Sequence, residues 1–379
     1  MNVAQMVWQV STGWVETVAA TCSDRPQLIL AFGTRSLLAR PDVMTPLRVR
    51  YPDAVVVGCT TAGEIEDVRV HDASIVATAI HFEQTTLRMA TGEVLCAEDS
   101  FNVGMNLART LDEPGLRHVL VFSDGLNVNG TALAKAFRDH LPVNVSVTGG
   151  LAGDGDRFQQ TGVLINGELK EKQVVAVGLY GERLVVGYGS LGGWDPFGPQ
   201  RLVTRSVGNV LYELDGECAL DLYRRYLGPH ASDLPGSALM FPLAIQSEGE
   251  DHSLVRTVLS INEAERSMTF AGDIPQGSHA HLMKANIDRL VDGAVGAAVE
   301  GRHCLGQNEP QLTILISCVG RKLVLKQRVE EEVDAVRDAM GRGTVIAGFY
   351  SYGEICPNGE LTRCELHNQT MTITTLAES

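Results

Sequence analysis

The sequence predicts an α/β protein of two domains, each with mixed β-sheets layered by helices. Three observations carry this: short β-rich runs alternate with amphipathic helical stretches, a strand-helix-strand-turn-strand order recurs, and the composition changes near Arg205. The fullest copy of the order is the last, Thr313 to Thr375. Its apolar run Thr313 to Val319 stops at Gly320. Val329, Val333, Val336 and Met340 then recur at helical spacing behind Glu330 to Glu332, whose carboxylates suit a helix N-terminus. Gly341 and Gly343 end that helix. Val345 to Phe349 enters a turn at Gly353, and Met371, Ile373 and Thr375 alternate as a half-buried strand does.

Two earlier stretches repeat this plan. Leu28 to Phe32 stops at Gly33, a helical stretch leads to Ala54 to Val57, the turn GCTTAGEI follows, and Ala73 to Phe82 closes the copy. The middle copy runs from Val119 to Phe122 through the helix Ala132 to His140 and Val143 to Val147, turns at GGLAGDG and closes with Val174 to Tyr180. Unlike inserts separate the copies, which is too irregular for a solenoid and reads as pseudo-repetition within one architecture. A helical crossover favours parallel neighbours and a short turn an antiparallel one, so the sheets are expected to be mixed.

Ahead of the first copy, Met1 to Thr21 reads as an amphipathic helix around Trp8 and Trp14, giving an N-terminal helix at 1–24, a first domain at 25–204 and a second at 205–379. Gly187 to Gly198, rich in glycine and aromatics, reads as a structured loop or domain junction. Asn209 to Leu227 reads as a helix broken at Gly216, Leu254 to Ser260 and Ser267 to Phe270 as paired strands, and His279 to about Arg302 as a long helix.

Composition narrows the function classes. A chain of 379 residues, 44% apolar, supports sizeable cores. Its 31 basic against 46 acidic residues give a net charge of -15, which repels polyanions, and no Lys/Arg cluster overrides this; nucleic acid and anionic membrane are not expected partners. Eight cysteines form no C-x-x-C pair, and Glu16 interrupts any signal-like apolar core, so a reducing cytoplasmic location is expected. A serine-hydrolase elbow fails at Ser351 and Ser190, where Phe349 and Tyr188 replace the first glycine, and there is no H-E-x-x-H helix. Catalysis, including a hydrolase-like activity, ranks below binding. GGLAGDG is a poor phosphate loop, because Asp154 and Asp156 repel phosphate and no lysine follows at the required spacing.

The stretches VVVGCTTAGEI, GGLAGDGDRF, GGWDPFGP, ALDLYRRYLG, GDIPQGSHAHLMKAN, ISCVGRKLVL, AGFYSYGEICP and LHNQTMTI together resemble the FIST proteins, with an N-terminal FIST domain to about residue 204 and a C-terminal one after it. The resemblance implies an intracellular sensory module that binds a small ligand and signals to a separate histidine kinase or cyclic-di-GMP enzyme, with a homodimer one option. The stand-alone form is similar to a branch that binds haem b and senses nitric oxide; other members are proposed to bind amino acids.

On the residues themselves, Gly63 with Glu64 and Gly353 with Glu354 hold the same place in two copies. A glycine there lets backbone amides approach a ligand, and the carboxylate can receive an amine or guanidinium. The alternative is that each glutamate caps a helix or pairs with an internal arginine. For haem, His367 is the preferred axial ligand, with Tyr350, Tyr352 and Cys356 as fallbacks; its alternative role is a histidine holding the turn through backbone or Glu354. For an amino acid, Glu64 or Glu354 is expected to face an arginine such as Arg321 or Arg363. Ligand binding at the YGEI and LHNQT end is expected to shift the packing between domains through the glycine-rich junction.

Overall fold

The computed structural model describes residues 1–19, 25–250, 252–358 and 364–379. The three copies are three units, each contributing to its own mixed sheet. In every unit a leading strand precedes a parallel pair with a helical crossover, then a hairpin, then a closing antiparallel strand. The parallel pairs are Leu28–Gly33 with Val55–Thr60, Leu116–Ser123 with Ser146–Leu151, and Leu312–Cys318 with Val345–Ser351. The closing strands Ile75–His81, Gln173–Tyr180 and Met371–Glu378 run antiparallel beside the first strand of each pair.

Each hairpin leaves its own unit and adds to the next sheet. Glu64–Glu66 of the first unit pairs with Val345–Ser351 of the third, Gly353–Pro357 of the third with Ser146–Leu151 of the second, and Val163–Ile165 of the second with Val55–Thr60 of the first. The exchange is cyclic. Three corresponding backbone hydrogen bonds mark it: Ala62 N to Tyr350 O at 2.8 Å, Tyr352 N to Leu151 O at 3.1 Å and Gly153 N to Thr60 O at 2.8 Å. The register explains one glycine per unit. A Cβ at Gly58, Gly149 or Gly348 would strike the carbonyl of Ala31, Val121 or Leu315 on the neighbouring strand, so only glycine fits there.

Inward-facing side chains of all three sheets share one core, where Phe32, Phe122 and Phe349 meet with ring centroids 4.6 to 6.2 Å apart. The outer faces are covered by the helices Pro41–Arg50, Ser100–Leu111, Gly130–His140, Ile287–Cys304 and Val329–Met340. Between the leading strand of the third unit, Leu184–Leu191, and its helix Ile287–Cys304, a separate lobe is inserted. It carries its own strands from Arg201–Val207 to His279–Lys284, the helix Ala219–Leu227 and its own apolar core.

Several local expectations are corrected. The helix expected at 1–24 is not seen over residues 1–19, and 20–24 lie outside the described residues: Asn2–Gln9 and Gly13–Val18 form a hairpin with Trp8 opposite Trp14, turned through Gly13 at φ +67°. The tryptophans are cross-strand partners, which a helical spacing mimicked. Val210–Leu214 is a strand before the helix Ala219–Leu227, and His279–Lys284 is a strand before Ile287–Cys304, because tertiary pairing overrides local helix preference in both places. The glycines at 187 and 189 belong to the strand Leu184–Leu191 rather than to a loop. They let the helix Ile287–Cys304 lie against it, since a Cβ on either would strike Gly301 or Ala297 carbonyl oxygen.

Candidate functional site

The turn after the second parallel strand is built the same way in the first and third units. Glu64 accepts hydrogen bonds from the hydroxyls of Thr61 and Ser74 (2.7 Å for Ser74) and from Ser74 N at 3.3 Å. Glu354 accepts from Ser351 Oγ at 2.7 Å, Thr370 Oγ1 at 3.0 Å and Thr370 N at 3.3 Å. Both side chains are buried, and among the described residues no cation is hydrogen-bonded to either. Loss of hydration raises Glu64 to about 7 and Glu354 to about 8, the hydroxyl donors opposing the shift. Each carboxyl at the root of its hairpin is therefore far more readily protonated than an ordinary glutamate. The helix-cap and arginine-pair alternatives both fail: Ser and Thr hydroxyls hold these carboxyls instead.

The correspondence extends along the hairpins. His71, Asp72, Ala73 and Ser74 match His367, Asn368, Gln369 and Thr370, with Glu64 opposite His71 and Glu354 opposite His367 in register. Ala73 at φ +57° and Gln369 at φ +61° make the same left-handed step before the closing strand. The middle unit has Lys172 at φ +54° there, but its buried carboxylate is Asp124, which accepts from Lys172 N at 3.1 Å.

What surrounds the two carboxyls differs. Glu64 and Gly63 line a cleft of about 430 Å³ at a junction of all three units. The first unit supplies Thr61 and Asp72, the second Asp156 and Arg157, and the third Lys322. Lys322 Nζ donates to Ala62 O at 2.8 Å and to the Asp72 carboxylate, and it lies over Gly63, where a Cβ would meet it at 2.5 Å. Arg157 donates to Asp154 through Nε at 3.1 Å, so Asp154 is a loop anchor while Asp156 faces the cleft. Charged side chains of both signs thus ring a cleft floored by the Glu64 carboxyl.

Glu354 and His367 line neither this cleft nor the one described next. Gln369 and Asn368 are fully buried, Trp194 Nε1 donates to Gln369 O at 2.8 Å, and Arg256 from the inserted lobe donates to Leu366 O at 3.0 Å. Among the clefts lined by described residues, none is lined by both glutamates, whereas one common site was expected. A second cleft, of about 220 Å³, lies at the junction where the third unit's hairpin meets the second unit, closed by the inserted lobe. Tyr352 lines it together with Phe158, Asn129 and Asp273.

A family model described as the FIST N domain matches residues 27–217, and one described as the FIST C domain matches residues 219–357. The chain belongs to the FIST family. It is therefore a ligand-binding sensory module of signal transduction. Among curated proteins none matches the sequence. Solved structures overlap weakly. Cyanuric acid hydrolase from A. caulinodans has 8% identity and a TM-score of 0.32, with 93% of this chain and 90% of that one covered. PurLQS from Thermotoga maritima has 10% identity and a TM-score of 0.17, with 94% and 66% covered. Neither overlap carries an argument. Among the described residues of this FIST protein no helix is long and apolar enough to cross a membrane.

Haem was expected at the YGEI and LHNQT end, and the residues there do not fit it. His367 is 5% exposed, its Nε2 is 3.1 Å from Cys356 O, and burial pushes it down to about 4, so its ring is neutral and tied to its own hairpin. Tyr352 donates to Gly155 O at 3.1 Å, Tyr350 donates to Glu332 at 2.7 Å, and burial raises the Cys356 thiol well above its ordinary value. Of the arginines expected to face a carboxylate, Arg321 is buried against Glu332 at 2.7 Å, while Arg363 lies outside the described residues. Lys322 and Arg157 are cations that line the Glu64 cleft. No local pattern singles out Lys322 from Arg321 beside it. Nothing local could have found Asp72 or Asp273, which tertiary packing alone brings in.

Proposed function

We propose that this FIST protein senses a small zwitterionic metabolite of the amino-acid type in the cleft floored by Glu64. The carrying observation is the pairing of cations and carboxylates around one hollow at the meeting point of three units. A ligand carboxylate is received by Lys322 and Arg157, and a ligand ammonium by Asp72 and Asp156. Glu64, raised to about 7 by burial, offers a hydrogen bond in its protonated form without adding a further charge. The Lys322 to Asp72 pair ties the third unit to the first, so a ligand that exchanges these partners alters the contact between units. That change is the signal offered to a separate output protein, a histidine kinase or cyclic-di-GMP enzyme by family analogy.

Thermal-shift screening of the twenty amino acids, followed by calorimetry on any that stabilise the protein, tests the proposal. Lys322→Ala is expected to weaken binding at least tenfold while the fold remains intact, and Arg157→Ala to weaken it less, because Arg157 is the more exposed. Failure of every amino acid to stabilise the wild type, or full affinity in Lys322→Ala, contradicts it.

A further inference from the structure

A second small-molecule site is built where the inserted lobe closes on the Tyr352 hairpin. Phe158 is 39% exposed and adopts φ +52°, a left-handed conformation costly for a bulky aromatic residue. The surrounding structure holds it there. Its ring stacks on Tyr352 with centroids 4.4 Å apart and planes 17° from parallel, and its N–H donates to Tyr352 Oη at 3.2 Å. Tyr352 Oη in turn donates to Gly155 O at 3.1 Å. A strained, exposed aromatic fixed at the rim of a cleft is a preorganised binding surface rather than a packing element.

The opposite wall comes from the lobe. Gly272 presents bare backbone, because the Arg256 side chain lies where a Cβ would be, with Nε at 2.8 Å from it. Arg256 is itself buried and bonded to backbone carbonyls of Asp273 and Leu366, which anchors the lobe to the third unit's hairpin. Asp273 accepts from Asn129 Nδ2 at 3.3 Å through Oδ1, while its Oδ2 has no hydrogen-bond donor among the described residues. Arg256 lies behind Gly272, so the local charge of Asp273 is partly balanced and a ligand need not be strongly cationic.

We propose that this cleft binds a planar nitrogen heterocycle, its face on Phe158 and an N–H edge directed to Asp273 Oδ2, bridging the inserted lobe and the three-unit body. The size agrees. A cavity of roughly 150 Å³ holds benzene, so about 220 Å³ takes a fused ring of modest substitution. Aromatic stacking sets the ring plane and the carboxylate sets its rotation. Occupancy holds Asn129 of the second unit and Asp273 of the lobe together, so ligand binding stabilises the closed arrangement. This inference is independent of the amino-acid cleft, with which it shares no lining side chain.

The test is calorimetric titration of the full chain with 2-aminobenzimidazole, a planar probe with adjacent N–H donors. Saturable binding at one site per chain is expected, weakened at least tenfold by Phe158→Leu and by Asp273→Asn and unchanged by Lys322→Ala. No saturable heat from the wild type, or undiminished affinity in both cleft variants, overturns the proposal. Should either variant fail to fold, intermolecular NOEs between probe ring protons and the Phe158 ring decide in the wild-type protein, and their absence overturns it.

Discussion

The hairpins of the first and third units share one carboxyl cage and differ in what lies over it. At Glu64 the residue corresponding to Asn368 is Asp72, whose side chain is 77% exposed and bonded to Lys322. At Glu354 the inserted lobe and Trp194 cover the equivalent surface, and the buried side-chain amides of Asn368 and Gln369 have no hydrogen-bond partner among the described residues. The comparison teaches that a repeated motif does not carry a repeated role. An insertion in one copy turned its hairpin into scaffold, while the other kept an open face.

Adjacent residues in the third unit sharpen this most. Arg321 points inward to Glu332, Gly192 O and Leu290 O, whereas Lys322 points to the cleft. Arg321→Ala strands a buried carboxylate and is expected to lower stability by about 3 to 5 kcal/mol, measured by urea unfolding; Lys322→Ala is expected to change stability far less. Equal losses would erase the distinction between scaffold and site.

Next in size is removal of the two carboxyls. Glu354→Ala leaves the Ser351 and Thr370 donors buried without an acceptor and is expected to cost about 3 kcal/mol. Glu64→Ala is expected to cost about 1 kcal/mol, since water in the cleft reaches the freed hydroxyls. Chemical denaturation of both variants reads this order, and a reversed order breaks the comparison.

The pH dependence follows from the same groups. Both folded values, about 7 and about 8, lie above the ordinary 4.5, so their contribution to stability is full below pH 4.5 and is lost as pH rises through the folded values. Each group contributes a slope of at most about 1.4 kcal/mol per pH unit in that window. Glu64→Gln and Glu354→Gln are expected to flatten the fall in Tm between pH 5 and 8, Glu354→Gln up to the higher pH. An unchanged Tm profile in both would show the carboxyls to be ionised in the folded protein. The smallest effect is expected from Tyr352→Phe, about 1 kcal/mol for the two bonds of its hydroxyl, with a larger loss of probe affinity at the second cleft.

Much of the fold was legible in the sequence because strand and helix periodicities are local. The three copies, their order and the mixed sheets follow from runs such as Leu28 to Phe32 and Val345 to Phe349. The cyclic exchange of hairpins was not legible, since pairing Glu64–Glu66 with Val345–Ser351 joins segments far apart in the chain. Gly63 and Glu64 line one cleft and Tyr352 another, where the sequence reading expected a single common hollow. Glu354 looked equivalent to Glu64 because the lobe that covers it is assembled from residues with no local mark of that contact. Lys322 was passed over because the distinction from Arg321 lies in the direction of the side chain at the start of a short helix.

A crystal structure with the best-stabilising amino acid tests the central claim most directly. Density for the ligand between Glu64, Asp72 and Lys322, with the Glu354 cage unchanged, is the expected result. Ligand density against Glu354 and His367, with the Glu64 cleft holding only solvent, would contradict it.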